Sequence, residues 1–378
     1  MPLAIVQKIS VGGSEFSASY LFMAAVIVWT ILRGVLRVPK YIHRTANATF
    51  LAPLVIVALM AIYGLFNGFD WRFVMAVLLW TIFTFLGMLL PDTYLIPYSR
   101  LMVWLSIVTA VLGIALYIIN IPLIDLEAAG SDQYFVDAWG HYRASSVFLN
   151  PNSFGYFLLF YLSIKLFGVE KPKRIFGLGF LCVVIALLLS GSRSSWAACL
   201  VLIVLRIGMA IAPRIRLSIF LFVNAALLTL MLILVVLSDL FVAQDIRFEK
   251  WDFSIEIFLN DAERVLLGVP ESIPLEKFGM YFSDNMFLTF LFKFGSVGFI
   301  VFLVYYLFIL YRAVIILVKG DRALYPFAAY LIAASVMLFY SNFLLFYPMV
   351  LLHGVAVGVL LSRVPGSVSR FSTSFKAA

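Results

Sequence analysis

From Ile175 to Leu205 the only charged residue is Arg193, and charge-poor runs of this kind recur along the whole chain. A bilayer's hydrocarbon core is about 30 Å thick and needs roughly 20 apolar residues per helix. Segments 18–36, 50–67, 72–90, 101–119, 152–169, 174–190, 195–212, 216–237, 286–311, 324–341 and 343–361 meet that need. A backbone crossing lipid must satisfy its own hydrogen bonds, so all of these read as helices. The runs are continuous rather than alternating, which argues against a membrane β-barrel. The expectation is an all-α integral membrane protein of about 11 transmembrane helices, forming one polytopic domain over residues 1–378. Composition agrees: 64% of residues are hydrophobic and 12% are charged. Soluble domains carry about a quarter charged residues, so a soluble enzyme, a disordered chain and a fibrous repeat are excluded. The first residues lack the basic start, apolar core and small-residue cleavage site of a leader, so none is expected. Cys182 and Cys199 lie in apolar runs and can build neither a disulfide framework nor a metal cluster.

The net charge is +8. In a soluble protein that would suggest nucleic acid; here the distribution of charge across a membrane gives the better account, and no nucleic-acid partner is expected. An N-terminus on the outer side puts 18 of the 27 bases inside, among them Arg100, Arg312 and Arg363, with only Asp92, Glu170 and Asp321 of the 19 acids. The positive-inside rule is strongly obeyed by this arrangement. It puts the N-terminus outside and the C-terminus inside. Two outer loops are long, 120–151 and 238–285, and together hold 14 of the 19 acids. Long ordered loops are usually functional. The inner loops carry neither a Gly-x-x-x-x-Gly-Lys-Ser/Thr nor a Gly-x-Gly-x-x-Gly sequence, so nucleotide-driven chemistry is not expected.

No span has an Asp or Glu near its centre, which argues against an ion-driven transporter. Lys165, Arg206 and Lys293 lie toward span ends, from which a long stem can reach water. Chemistry is therefore expected at the outer surface.

Four constellations face that side. The first is His141-Tyr142-Arg143 followed by Asn150-Pro151-Asn152. Asn-Pro-Asn is turn and cap chemistry, with Asn152 a plausible N-cap. Arg143 stands on the face that the positive-inside rule depletes of bases. His141 alone reads as structural. The second is Ser190-Gly191-Ser192-Arg193-Ser194-Ser195-Trp196, a short turn ahead of a helix, where free backbone N–H groups suit an anion. The third places Arg247, Trp251, Ile255 and Phe258 on one face of an amphipathic helix over 245–260, lying on the membrane surface. Arg264 follows, ahead of Leu266-Leu267-Gly268-Val269-Pro270. The fourth is Asp284-Asn285 with Gly295-Ser296-Val297-Gly298 beyond it. Asp284 can act as a general base or cap the helix, and residue type alone favours the cap. The paired glycines would let a neighbouring helix approach closely. Arginine forks match phosphate oxygens, so Arg143, Arg193 and Arg247 point to an anionic lipid head group, best a diphosphate.

These pieces, in this order and spacing, resemble the O-antigen ligase and O-antigen polymerase superfamily of bacterial membrane glycosyltransferases. The resemblance covers about residues 140–300; the first 120 residues match only as generic membrane helices. It implies a metal-independent, inverting transfer of a glycan from undecaprenyl diphosphate on the periplasmic side, with no cofactor. It also implies that Arg193 and Arg247 bind the diphosphate and assist its departure, with Asp284 as base. Arg143, Asn150, Asn152, Trp251, Arg264 and Asn285 would complete the diphosphate and glycan site. Ligases carry a histidine at the position of Asp284, and the acid here favours a polymerase making O-antigen or exopolysaccharide. A ligase acting on lipid A-core is the alternative, and a lipid-linked glycan flippase is the alternative from another class. Partners implied are the lipid-linked oligosaccharide, membrane lipid, a chain-length regulator and a flippase.

Overall fold

The computed structural model describes residues 8–11, 14–17, 71–121, 136–137, 140–148, 150–168, 177–211, 255–256, 259, 265–266, 268, 285–319, 322–338 and 349–363. An antiparallel hairpin of β1 (Lys8–Val11) and β2 (Ser14–Ser17) precedes the helices, with Lys8 opposite Ser17. The expectation of an all-α chain did not include it. The helices are α1 (Trp71–Leu89), α2 (Asp92–Ile119), α3 (Pro151–Phe167), α4 (Leu178–Leu189), α5 (Arg193–Ile211) and α6 (Met286–Lys319). A 3-10 turn (Arg322–Leu324) leads into α7 (Tyr325–Leu338), and α8 is Met349–Leu361. By length and composition, 92–119, 193–210 and 286–319 are long and apolar enough to cross a membrane. Segments 76–89, 178–189, 322–338 and 349–361 are shorter apolar helices. The expected spans 18–36, 50–67 and 216–237 lie outside the described residues.

Burial separates inner helices from outer ones. In α7 and α8 nearly every side chain is buried, and α3 is buried over most of its length. A helix that is apolar all round belongs inside a bundle or a membrane. On α5, exposed Trp196, Leu200, Ile203 and Ile207 recur every three or four residues, and on α6 so do Val297, Ile300, Val304 and Leu307. Apolar stripes of this length call for lipid around them. The chain is a helical membrane protein.

Two glycines on α8 set the tightest helix contact. A Cβ on Gly354 would lie 2.9 Å from the Trp80 carbonyl oxygen, and one on Gly358 would overlap the Thr84 carbonyl. From the other side Gly87 of α1 abuts Val355. This is the small-x-x-x-small route by which membrane helices bring backbones together.

One end of α2 is held by Arg363. Its guanidinium donates to Asp92 Oδ1 and to the Leu90 carbonyl, each at 2.6 Å, and to the Val359 carbonyl at 3.0 Å. Arg312 donates to the Arg363 carbonyl, and to that of Leu360 at 3.4 Å. Basic groups thus meet the C-terminal carbonyls of α1 and α8, where the helix dipoles favour them. Burial lowers the proton affinity of Arg363 and the neighbouring Asp92 opposes that shift; a guanidinium stays charged regardless. Asp92 opens α2, so this helix begins earlier than the expected 101 and passes through Pro97. A helix of this length spans about 42 Å, and its other end meets the loop carrying Arg143.

The expected straight span from 286 departs most from the structure. Gly295 sits at φ 65°, ψ −174°, inside α6. The rings of Phe290 and Phe302 stack with centroids 3.9 Å apart, and those of Phe287 and Tyr306 lie 5.8 Å apart. In a straight helix those pairs would be separated by about 18 and 28 Å along the axis. The chain therefore folds back at Gly295. A first arm, 286–294, packs antiparallel against a second arm, 296–319, which alone is about 36 Å long. The first glycine of this motif thus makes a reversal. Lys293, near the reversal, is 3% exposed rather than reaching out to water. Gly295 occupies a backbone region essentially restricted to glycine, where a side chain costs of order 1–3 kcal/mol. Gly295→Ala should therefore loosen the first arm. Cysteines replacing Phe290 and Phe302, with Cys182 and Cys199 changed to alanine, should be joined by a short bis-maleimide in the parent. The yield should drop sharply in Gly295→Ala.

Candidate functional site

The far end of α2 is bonded to described residues of the 120–151 loop. Asn120, in the left-handed conformation at φ 55°, accepts from the Tyr142 N–H at 2.8 Å. Tyr117 donates to Asp137 Oδ2 at 2.7 Å, and Asp137 Oδ1 accepts from the His141 N–H at 3.0 Å. The His141 ring stacks on Tyr117, with centroids 5.1 Å apart. These contacts give His141 a structural place in the turn.

Arg143 then joins two of the sequence motifs. Its Nε donates to the Ser190 carbonyl at 2.8 Å and its Nη2 to Asn152 Oδ1 at 3.4 Å. The Ala144 N–H donates to the Leu189 carbonyl at 3.0 Å. Arg143 lies across Gly191, whose φ is +59° and where a Cβ would come 2.9 Å from Arg143 Nε. The cap of α3 is Asn150, whose side chain accepts from the Asn152 N–H at 2.7 Å. This corrects the reading of Asn152 as the cap. Pro151 has no N–H and a helix-ready φ, so it takes the first helical position and the cap falls on Asn150, two residues earlier than expected. Asn152 is left to meet Arg143.

Ser190, Ser192 and Ser195 are fully buried and Ser194 nearly so, whereas Arg193 is exposed at the first position of α5. Ser192 caps this helix: its Oγ accepts from the Ser195 N–H at 3.4 Å and lies 2.7 Å from Ser195 Oγ. Gly155 of α3 lets the serines in, since a Cβ there would collide with Ser195 Oγ. Trp196 donates to the Leu187 carbonyl at 3.0 Å, fixing the turn against α4. The result is a hydroxyl-lined turn that presents one arginine at a helix start, a place suited to an anion.

The third and fourth motifs also meet. Gly268 has φ +96°, and a Cβ on it would lie 2.6 Å from the Lys293 carbonyl carbon and 2.9 Å from the Phe292 carbonyl oxygen. Gly268 is thus seated against the reversal of α6. The first arm is capped by Asn285, whose Oδ1 accepts from the N–H groups of Phe287 and Leu288 at 2.9 and 3.1 Å. Asn285 is 6% exposed. Because the arm folds back, this end stands at the depth of Tyr306 rather than at the mouth of the span. Positions 255, 256 and 259 are helical. Arg247, Trp251, Arg264 and Asp284 lie outside the described residues.

Helix α7 relates the serine turn to the Asn285 end of the first arm. Ser195 Oγ is 3.8 Å from Met337 Sδ, and Tyr306 Oη is 3.2 Å from Ser335 Oγ. Ser335 and Met337 are about 3 Å apart along the helix. The serine turn and the Asn285 end therefore lie at similar depth. In a straight α6 the Asn285 end would stand about 30 Å from Tyr306 along the axis.

Sequence reasoning passed over a deep polar pair. Trp80 Nε1 donates to His353 Nδ1 at 3.0 Å, and both side chains are buried. An indole N–H only donates, so His353 Nδ1 accepts and the ring proton sits on Nε2. The signal was available: a histidine inside the apolar run Leu351-Leu352-His353 is as telling as the acids that were sought. Among the described residues no three His, Cys, Asp or Glu side chains gather as metal ligands.

Comparison with known protein families finds no family model that matches this chain, and no curated protein matches it.

Proposed function

We propose that the chain is an inner-membrane polysaccharide polymerase, with eleven spans, a periplasmic N-terminus and a cytoplasmic C-terminus. It transfers a growing glycan from undecaprenyl diphosphate to a lipid-linked repeat unit on the periplasmic side. Arg193 and Arg247 hold the diphosphate leaving group, with fixed cations meeting the charge that develops as it departs. Asp284 takes the proton of the acceptor hydroxyl. Arg143 holds the loop and turn in register, in addition to the diphosphate role first read for it.

The observation that carries this reading is the convergence of motifs far apart in sequence. Arg143 ties the Asn150–Asn152 cap to the Ser190–Arg193 turn. Gly268 is seated on the α6 reversal. The serine turn meets α7 at Met337, and Tyr306, which packs on Phe287 near the Asn285 cap, meets it at Ser335. The topology draws support from Asp92, Arg312 and Arg363, all assigned inside, which gather at the end of α2 opposite to Arg143.

Purified protein in vesicles, given lipid-linked repeat units alone, should form a polymer ladder and release undecaprenyl diphosphate, and chelation of divalent metals should leave the rate unchanged. Transfer only to added lipid A-core would instead identify a ligase. Passage of the units across the vesicle with no new glycosidic bond would identify a flippase.

A further inference from the structure

We infer that the start of α5 stands in a water-filled notch, sunk into the outer leaflet and open toward lipid, that takes the head group of a lipid-linked diphosphate below the membrane surface. The occupant rests on the proposed function; the notch itself rests on geometry.

Two lengths carry it. On α5 the exposed apolar residues Trp196, Leu200 and Ile203 lie between two exposed arginines, Arg193 and Arg206. Those arginines are thirteen residues apart, about 20 Å along the helix, against a hydrocarbon core of about 30 Å. On the second arm of α6, exposed apolar residues run from Val297 to Val318, about 32 Å and a full crossing. The apolar stretch of α5 is therefore short by about 10 Å.

The second length places the shortfall at the outer end. Ser195 meets Met337, and Ser335, two residues before Met337, meets Tyr306. Tyr306 is eleven residues from Gly295, so the serine turn lies about 16 Å inward of the reversal. Arg193, two residues before Ser195, recovers only about 3 Å of that. Over the same stretch Val297, Ile300 and Val304 are exposed on the second arm. Lipid thus reaches farther out on the second arm than the level of Arg193.

Chemistry decides what fills that level. A guanidinium in hydrocarbon is costly. Arg193 is exposed, so protein does not cover it. Leu200 and Ile207 follow at seven-residue steps and are exposed too, which puts Arg193 on the lipid-facing stripe of α5. The chain is also non-helical at Asn285, at similar depth, and irregular backbone inside a membrane needs protein or water around it. Water therefore reaches Arg193 from the lipid side. A diphosphate held there by the guanidinium fork leaves its polyprenyl chain to run down Leu200 and Ile207.

Single cysteines test this in a protein whose Cys182 and Cys199 are changed to alanine. In right-side-out vesicles, a small membrane-impermeant sulfonate thiol reagent should modify Arg193→Cys about a hundredfold faster than Ile300→Cys, because only a hydrated thiol ionises readily. That order is the reverse of their depths, since Ile300 stands farther out. Ser194→Cys, which keeps the guanidinium, should also react faster than Ile300→Cys. Equally fast reaction at Arg193→Cys and Ile300→Cys would overturn the inference, because the arm would then stand clear of the membrane. No reaction at either Arg193→Cys or Ser194→Cys would overturn it as well. Undecaprenyl diphosphate in the vesicles should slow modification of Ser194→Cys more than soluble inorganic diphosphate does. Equal protection by the two would overturn the lipid-linked occupant. None of these readouts needs transfer activity. A reactive, lipid-protected notch in protein that makes no polymer would reject the polymerase reading and leave the notch standing. Polymer from protein whose thiols do not react would do the reverse.

Discussion

Arg193→Ala should abolish polymer growth, lowering transfer by about a hundred- to a thousandfold, the usual cost of removing one preorganised group from a developing anion. The protein should still fold. Arg193 is exposed at the start of α5, and the turn beneath it is held by other groups: Ser192 as cap, Trp196 on Leu187, Arg143 on Ser190. The lysine variant separates charge from shape. It keeps the cation and loses the planar fork that meets two phosphate oxygens together, so it should fall between parent and alanine. Arg143→Ala should act differently. Its loss frees the turn from the Asn150–Asn152 loop, and the drop in transfer should come with lower thermal stability. Polymer length on gels, with protein amount measured in the same membranes, checks all three. Full-length polymer in Arg193→Ala would remove this residue from the site.

Gly358→Leu should cost the fold itself. The new side chain would start from a Cβ that overlaps the Thr84 carbonyl and lies 2.7 Å from the Met88 nitrogen. These are backbone atoms of α1, so no rotamer change relieves the clash and the two helices must separate. Overpacking ordinarily costs about 1–3 kcal/mol, and a rigid backbone neighbour puts this case at or above the top of that range. Separation would also disturb Trp80 and His353, which bond across the same interface. Monodisperse protein after detergent extraction should fall to a small fraction of the parent, with Gly358→Ala intermediate. Gly177→Ala is the control, because a Cβ there meets nothing within 4 Å. A normal yield from Gly358→Leu would mean that α1 and α8 do not pack as described.

The helices that were legible in sequence were those whose ends coincide with a change of polarity. The structure gives 71–89 for an expected 72–90, and 151–167 for 152–169. Helix α2 starts nine residues before the expected 101, with Pro97 and Arg100 inside it. A membrane helix tolerates proline when neighbours re-satisfy the freed groups, and Asp92 begins the helix because Arg363 meets it from α8. The reversal at Gly295 was invisible to periodicity, since both arms are apolar on every face and a fold-back changes no pattern. Its trace was the Gly-Ser-Val-Gly sequence, taken as a packing motif. Arg143, Asn150, Asn152 and Asn285 were legible as site candidates because polar residues beside long apolar runs are few. What each does required coordinates: Asn150 and Asn285 cap helices, and Arg143 bonds the Ser190 carbonyl. Tyr306 and Ser335 left no sequence signal, because a tyrosine and a serine within apolar helices acquire meaning only by facing each other.

The most direct test of the central claim is the sidedness of the lipid-linked glycan in cells lacking this chain. The polymerase reading predicts single repeat units on undecaprenyl diphosphate, open to an added glycosidase at the periplasmic face, with no polymer. Long polymer retained on the carrier would contradict it in favour of a ligase. Single units sealed on the cytoplasmic side would contradict it in favour of a flippase.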